Sequence, residues 1–269
     1  MADVLYGLDV AEFRHPADIA ALKIVEKTIL TKRIAELLQK KDAYLNQEIE
    51  LMGTGVRLTS SNAPEVYTAF EQAKEVLDFD ASVDLYCYRA YGYAFHAYGT
   101  DRYFIGIPDS TICMFTPIQW QFLFGQCITA LKGKMTEMLS LANAIESATH
   151  LLPLDTGKVL VAPLGQWKRK AQLTLDRGGL LACQDYDEVM RYLNWVSGVP
   201  SRDLYSIDVY DRVEEIVKST KENKGVADTI GHVKNTIFST RNMYSRERFL
   251  ELYNWYESGT YAKIVREHT

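Results

Sequence analysis

The sequence predicts an α+β fold, mainly α, in which helices surround a small and mostly antiparallel sheet. Three observations lead there. Long stretches carry apolar residues at helical spacing. One window, residues 83–108, switches to aromatic and β-branched residues. Between sheet and helices, Thr116-Pro-Ile-Gln119 is a strong helix start.

The elements follow in order. From Pro16 to Leu51, apolar residues such as Ile19, Leu22, Val25, Ile29, Ile34 and Leu37 fit one or two amphipathic helices. Leu58 to Asn62 is a turn, and Asn62-Ala-Pro-Glu offers a cap and an early Pro for a helix from Pro64 to Leu77. Three strands are expected at Val83–Tyr88, Tyr91–Tyr98 and Tyr103–Ile107, with a turn at Gly99–Arg102. A central helix, apolar nearly all round, starts at Thr116 and is expected to run to Thr149. Pro153, Gly157, Pro163 and Gly165 mark Leu151–Gly165 as a loop, followed by a helix from Trp167 to Cys183. Asp185 caps the next helix, which ends near Ser197-Gly-Val-Pro200. Residues 201–269 read as two or three helices, the last pair beginning after Ser206 and Ser245. No repeat or flexible linker interrupts the chain, so one domain over 1–269 is expected. Its parts are N-terminal helices over 1–62, a core over 63–200 and C-terminal helices over 201–269.

Composition bounds the function. Of 269 residues, 47% are hydrophobic and 24% charged, and the formal net charge is −5. That balance suits a globular protein and gives no global attraction to nucleic acid. The basic run Lys168-Arg-Lys170 reads as a solvated helix face. Cys87, Cys113, Cys127 and Cys183 form no CxxC pair, and they are expected as buried free thiols in a reducing compartment. No secretory signal and no membrane-length apolar run is seen, so a cytoplasmic location is expected.

Several segments resemble the M48 zinc metallopeptidase family. Gln172-Leu-Thr-Leu-Asp-Arg-Gly-Gly-Leu-Leu-Ala-Cys-Gln-Asp185 resembles a long family segment that begins with a glutamate ligand. Phe13-Arg-His-Pro-Ala-Asp18, Gly53-Thr-Gly-Val-Arg57, Phe104-Ile-Gly-Ile107 and Ser258-Gly-Thr-Tyr261 resemble other family segments. Tyr93-Ala94-Phe95 followed by Gly99 resembles the family's edge strand, with Tyr93 in place of its Asn. The resemblance implies a zincin-like (gluzincin) fold. It also places Gln126 and Ala130 where the family has two zinc-binding histidines, Cys127 where it has the general base, and Gln172 where it has the glutamate ligand. Asp176 and Arg177 are retained.

That substitution pattern is hostile to zinc. Ala130 offers no ligand atom, and a neutral amide is a poor ligand beside imidazole or carboxylate. No metal and no cofactor is therefore expected. The expected function is that of a catalytically inactive pseudopeptidase. It would bind a peptide, or a protein partner such as an active homologue or another enzyme. Residues 92–98 would form the edge, with Tyr93, Ala94, Phe95 and His96 beside a neutral pocket at Gln126, Cys127, Gln172 and Asp176.

Two alternatives stand beside it. One is a hydrolase with relocated chemistry, with Cys127 as nucleophile and His96 or His150 as base. Against it, Cys127 on an apolar helix fits a small packed residue, and His150 at a helix end fits a capping role. The remaining histidines, His15, His232 and His268, form no metal-ligand spacing. The other alternative is an oligomerising interaction protein, favoured by 17 Tyr and 4 Trp.

Overall fold

The computed structural model describes residues 2–29, 52–90, 94–99, 102–148, 154–196, 211, 214, 215, 218 and 240–269. Expected elements within residues 30–50, at Tyr91–Tyr93 and after Ser206 lie outside these residues. The chain divides into two compact units, Met1–Gln184 with Ala262–Thr269, and Asp185–Tyr261.

The first unit opens with α1 (Val10–Phe13) and α2 (Pro16–Ile29). A short strand, β1 (Val56–Leu58), precedes α3 (Pro64–Val76). Asn62 does not cap α3. Its side chain instead closes the preceding turn, accepting from Thr59 N–H at 2.8 Å and donating to the Arg57 carbonyl at 2.9 Å. An Asx side chain that can satisfy its own turn competes with the cap in this way.

Strands β2 (Val83–Tyr88), β3 (His96–Tyr98) and β4 (Tyr103–Pro108) follow. The sheet has four strands in the order β1-β2-β4-β3. β1/β2 and β3/β4 pair antiparallel and β2/β4 pair parallel. The additional strand is β1, which is too short for alternation to reveal. Leu85, Ile105 and Ile107 are fully buried, whereas Tyr86 and Phe104 cluster with Tyr88 and Tyr98 on the opposite face. Gly99 leaves β3 with φ +98°, and an added Cβ there would meet the Arg102 carbonyl oxygen at 1.8 Å. Only glycine fits that turn.

After α4 (Asp109–Met114) comes α5 (Pro117–Lys132), opened by the expected capping box: Gln119 N–H donates to Thr116 Oγ1, and Thr116 N–H donates to Gln119 Oε1. α5 ends sooner than expected, and α6 (Thr136–Ala148) is a separate helix. Between them Met135 N–H reaches the Ala130 carbonyl and Lys134 N–H the Leu131 carbonyl, with Lys134 at φ 52°. This is a Schellman stop, and Met135 and Ala130 join one apolar cluster across it.

The largest departure is α7 (Leu154–Cys183), a 30-residue helix that includes most of the expected loop and has Pro163 inside it. A proline removes one donor and strains one turn. Here the apolar stripe of Leu164, Trp167, Ala171 and Leu175 packs against Val25 of α2 and Ala130 of α5, which holds the helix together.

In the second unit, Asp185 caps α8 (Tyr186–Val196) by accepting from Glu188 N–H at 3.0 Å, as expected. α9 (Thr240–Glu257) passes through Ser245 instead of starting after it; a serine alone is a weak stop. Val189, Met190 and Leu193 of α8 and Phe249 and Leu252 of α9 are buried, and Tyr186 stacks on Tyr256. α10 (Thr260–His268) returns the chain to the first unit, where His268 meets the segment before α1. No helix among the described residues is long and apolar enough to cross a membrane.

Candidate functional site

α5 is buried on every side from Gln119 to Leu131, so its polar residues must find partners inside the protein. α7 supplies them for Gln121 and Gln126, whereas Thr129 Oγ1 is buried against Gly178 without a hydrogen bond; glycines let the two helices approach closely. A Cβ on Gly125 would lie 2.4 Å from the Ala182 Cβ, one on Gly178 would lie 1.8 Å from Thr129 Oγ1, and one on Gly179 would lie 2.6 Å from the Phe122 ring. Gln121 Nε2 donates to the Ala182 carbonyl at 2.8 Å, tying α5 to the end of α7.

One turn farther along α5, Gln126 Nε2 donates to Asp176 Oδ1 at 2.8 Å. Gln172 Nε2, one turn before Asp176 on α7, donates to the same oxygen at 3.2 Å. Two amides thus converge on one carboxylate that is 1% exposed. Hydrogen bonds to a charged acceptor are the stronger kind, and they lower the cost of burying it. The structure therefore brings together Gln126, Gln172 and Asp176 as a clasp.

Cys127 is also buried, and burial pushes its thiol well above the ordinary range. A thiol held in that form is a poor nucleophile. Ala130 belongs to the apolar cluster with Val25, Trp167 and Leu175. His96, half-buried on β3, has its imidazole pushed down to about 4, first by burial and then by the positive charge of Lys168, so it is neutral at physiological pH.

β3 is an edge strand, paired only to β4 among the described residues. Ala94 before it is half-buried. Phe95 turns inward instead, 6% exposed, with its ring 4.8 Å from that of Phe124 in α5. Tyr93 and His150 lie outside the described residues.

These residues do not fit a zinc ion. The amides of Gln126 and Gln172 present N–H donors to Asp176, the Ala130 position is apolar, and Cys127 keeps its proton. Among the described residues no three His, Cys, Asp or Glu side chains gather as a ligand set.

A second buried network escaped the sequence. Asp18, with no exposed surface, accepts from Trp167 Nε1 at 2.9 Å, Thr174 Oγ1 at 2.8 Å and Arg14 Nε at 2.8 Å. His15 N–H donates to the same Thr174 hydroxyl at 3.0 Å. Arg177 reaches the Phe13 carbonyl at 3.1 Å. The segment Phe13–Asp18 is thereby fastened to α7 at the level of the clasp. The spacing of Arg14 and Asp18, i and i+4, was the one local signal.

The chain is related in sequence to a metallopeptidase. It is 27% identical over 219 residues to the plastoglobule-localized metallopeptidase 48, chloroplastic, of Arabidopsis thaliana. The match covers 76% of this chain and 61% of that protein, so the chain spans under two thirds of its relative's length. No family model matches the chain, and no solved structure matches it. The likeness supports a relationship to M48 metallopeptidases and leaves the chemistry to the residues at the site.

Proposed function

We propose that this protein is a metallopeptidase-like scaffold that does not hydrolyse peptides through zinc and that binds a peptide or protein partner along the β3 edge. The observation that carries the proposal is the clasp: Gln126 and Gln172 both donate to Asp176 at the place where the resemblance puts an ion. An edge strand offers unpaired backbone groups to an added strand, and β3 lies beside α5 and α6 at this place. The relative's name describes a peptidase and a chloroplast location for that protein alone. Free thiols in this chain agree with a reducing compartment such as the cytosol.

Amide exchange tests the binding role. A pool of extended, unlabelled peptides is added to the protein and exchange at His96–Tyr98 is followed by mass spectrometry. Slower exchange there, without peptide cleavage, is expected. Cleavage that stops with a zinc chelator, or unchanged exchange at saturating peptide, would contradict the proposal.

A further inference from the structure

Residues 3–8, before α1, cross the ends of three helices as a strap. Asp3 N–H donates to Gln184 Oε1 at 2.9 Å, and Gln184 Nε2, just past α7, donates to the Asp3 carbonyl at 2.7 Å. Leu5 N–H donates to the Val76 carbonyl of α3 at 2.9 Å, and Gly7 N–H to Asp78 Oδ2 at 2.8 Å. Between them, Tyr6 N–H donates to the His268 carbonyl of α10 at 3.0 Å. Leu5 and Leu8 are buried, whereas the Tyr6 side chain is exposed. Val4 and Tyr6 form one wall of a surface cavity of about 410 Å³, and α3 with Asp78, Phe79 and Asp80 forms the other.

One tie of this strap depends on a proton. His268 Nδ1 lies 2.7 Å from the Tyr6 carbonyl oxygen, and its Nε2 lies 3.0 Å from Glu12 Oε2. The other Glu12 oxygen accepts from Asp9 N–H at 2.8 Å in the capping box of α1. A carbonyl and an ionised carboxylate only accept, so both ring contacts are hydrogen bonds only when both ring nitrogens carry a proton. A neutral ring has one N–H, and in either tautomer a nitrogen lone pair then faces an oxygen. The charged groups facing this corner are Glu12 of α1, Glu267 of α10 and Lys132 of α5. The Lys132 ammonium is itself held by the Leu77 and Asp78 carbonyls, at 2.7 and 3.1 Å.

We propose that protonated His268 is a latch that fastens the strap to the end of α10, and that loss of its proton releases both as a local unit while α5 and α7 stay folded. The imidazolium bridges the Tyr6 carbonyl and the Glu12 carboxylate. The neutral ring keeps one of these bonds and turns the other into a repulsive contact. Both partners favour the charged ring, so its pKa stands above the ordinary value of about 6.5. The latch is therefore closed below that value and opens as pH rises through the higher folded value. Ile264 of α10 is buried, which confines the release to the turn after it. Release frees the Val4 and Tyr6 wall, so the cavity between strap and α3 opens with rising pH.

Amide exchange of the native chain, read by mass spectrometry at pH 6, 7 and 8, tests the latch. Each rate is divided by that of the same peptide in the urea-unfolded chain, which removes the intrinsic effect of pH. The ring signals of His268 are titrated in parallel by NMR. Protection of residues 3–8 and 265–269 is expected to fall several-fold with rising pH, in step with the His268 titration, while α5 and α7 keep theirs. The limit is tenfold for each unit by which the folded pKa exceeds the unfolded one. Glu12→Gln is expected to move the fall to lower pH, and His268→Gln to leave the strap weakly protected at every pH. Strap protection that ignores pH, falls together with α5 and α7, or falls at the same pH in Glu12→Gln overturns the proposal, as does a His268 that titrates below pH 6.5.

Discussion

Gln126 of α5 and Asp176 of α7, 50 residues apart in sequence, are joined by a buried hydrogen bond of 2.8 Å. It lies where α5 and α7 approach most closely through glycine, and Gln172 shares its acceptor. Removing the acceptor leaves the buried Gln126 amide and the half-buried Gln172 amide without this partner. Asp176→Ala is expected to cost about 2–4 kcal/mol in urea unfolding, and Asp176→Asn about half of that. A loss below about 0.5 kcal/mol for Asp176→Ala would mean that the clasp carries no stability.

Close helix approach gives the second prediction. Gly178→Ala puts a methyl into Thr129, whose Oγ1, Cβ and Cγ2 all lie within 3.0 Å of the new atom. Moving α5 away from α7 is the only relief. The expected loss is about 3 kcal/mol, at the upper end for overpacked cores. Urea unfolding checks it, and Gly53→Ala, with nothing within 4 Å, is the control.

The network around Asp18 gives the third. Trp167→Phe keeps the ring in the apolar cluster and deletes the indole N–H that donates to Asp18 at 2.9 Å. A bond to a charged acceptor is worth about 1.5–3 kcal/mol, so a loss in that range is expected from chemical denaturation. A neutral result would show that Arg14 and Thr174 satisfy Asp18 without the indole.

Stability is also expected to depend on pH through His268. Its ring reaches the Tyr6 carbonyl at 2.7 Å and Glu12 Oε2 at 3.0 Å. The bond to the Tyr6 carbonyl raises its pKa most, burial opposes, and Glu12 adds to the rise. Glu12 is held low, first by the Asp9 backbone N–H and then by the bond to His268. A raised histidine contributes stability that is fully present below its unfolded pKa of about 6.5 and is lost as pH rises through the folded value. Glu12 contributes above its unfolded pKa and its share is lost on acidification. The Tm of the wild type is therefore expected to fall between pH 6 and pH 9, and the fall is expected to be smaller in His268→Gln. Equal slopes would exclude the tie.

What the sequence revealed depended on how local each signal was. The Thr116–Gln119 box was legible because the whole device spans four residues. The stop at Lys134 was not, because a non-glycine residue takes the left-handed position there and the apolar pattern continues past it. Pro163 misled for a related reason: the punctuation is local, whereas the packing that overrides it comes from α2 and α5. At the site, the family resemblance alone singled out Gln126 and Gln172 in the sequence. Their convergence on Asp176 was not legible, since no sequence spacing reports a bond across two helices. Phe95 was expected at a binding edge; it stands just before β3 and its ring packs on Phe124 of α5, a long-range contact that no local spacing reports.

The most direct measurement is the zinc content of the purified native protein after dialysis against free zinc and then against buffer. Far less than one equivalent is expected, with a Tm that a chelator leaves unchanged, because the clasp joins α5 to α7 without an ion. One tightly held equivalent per chain that is lost in Gln172→Ala would contradict the structure's central feature and return the site to metal chemistry.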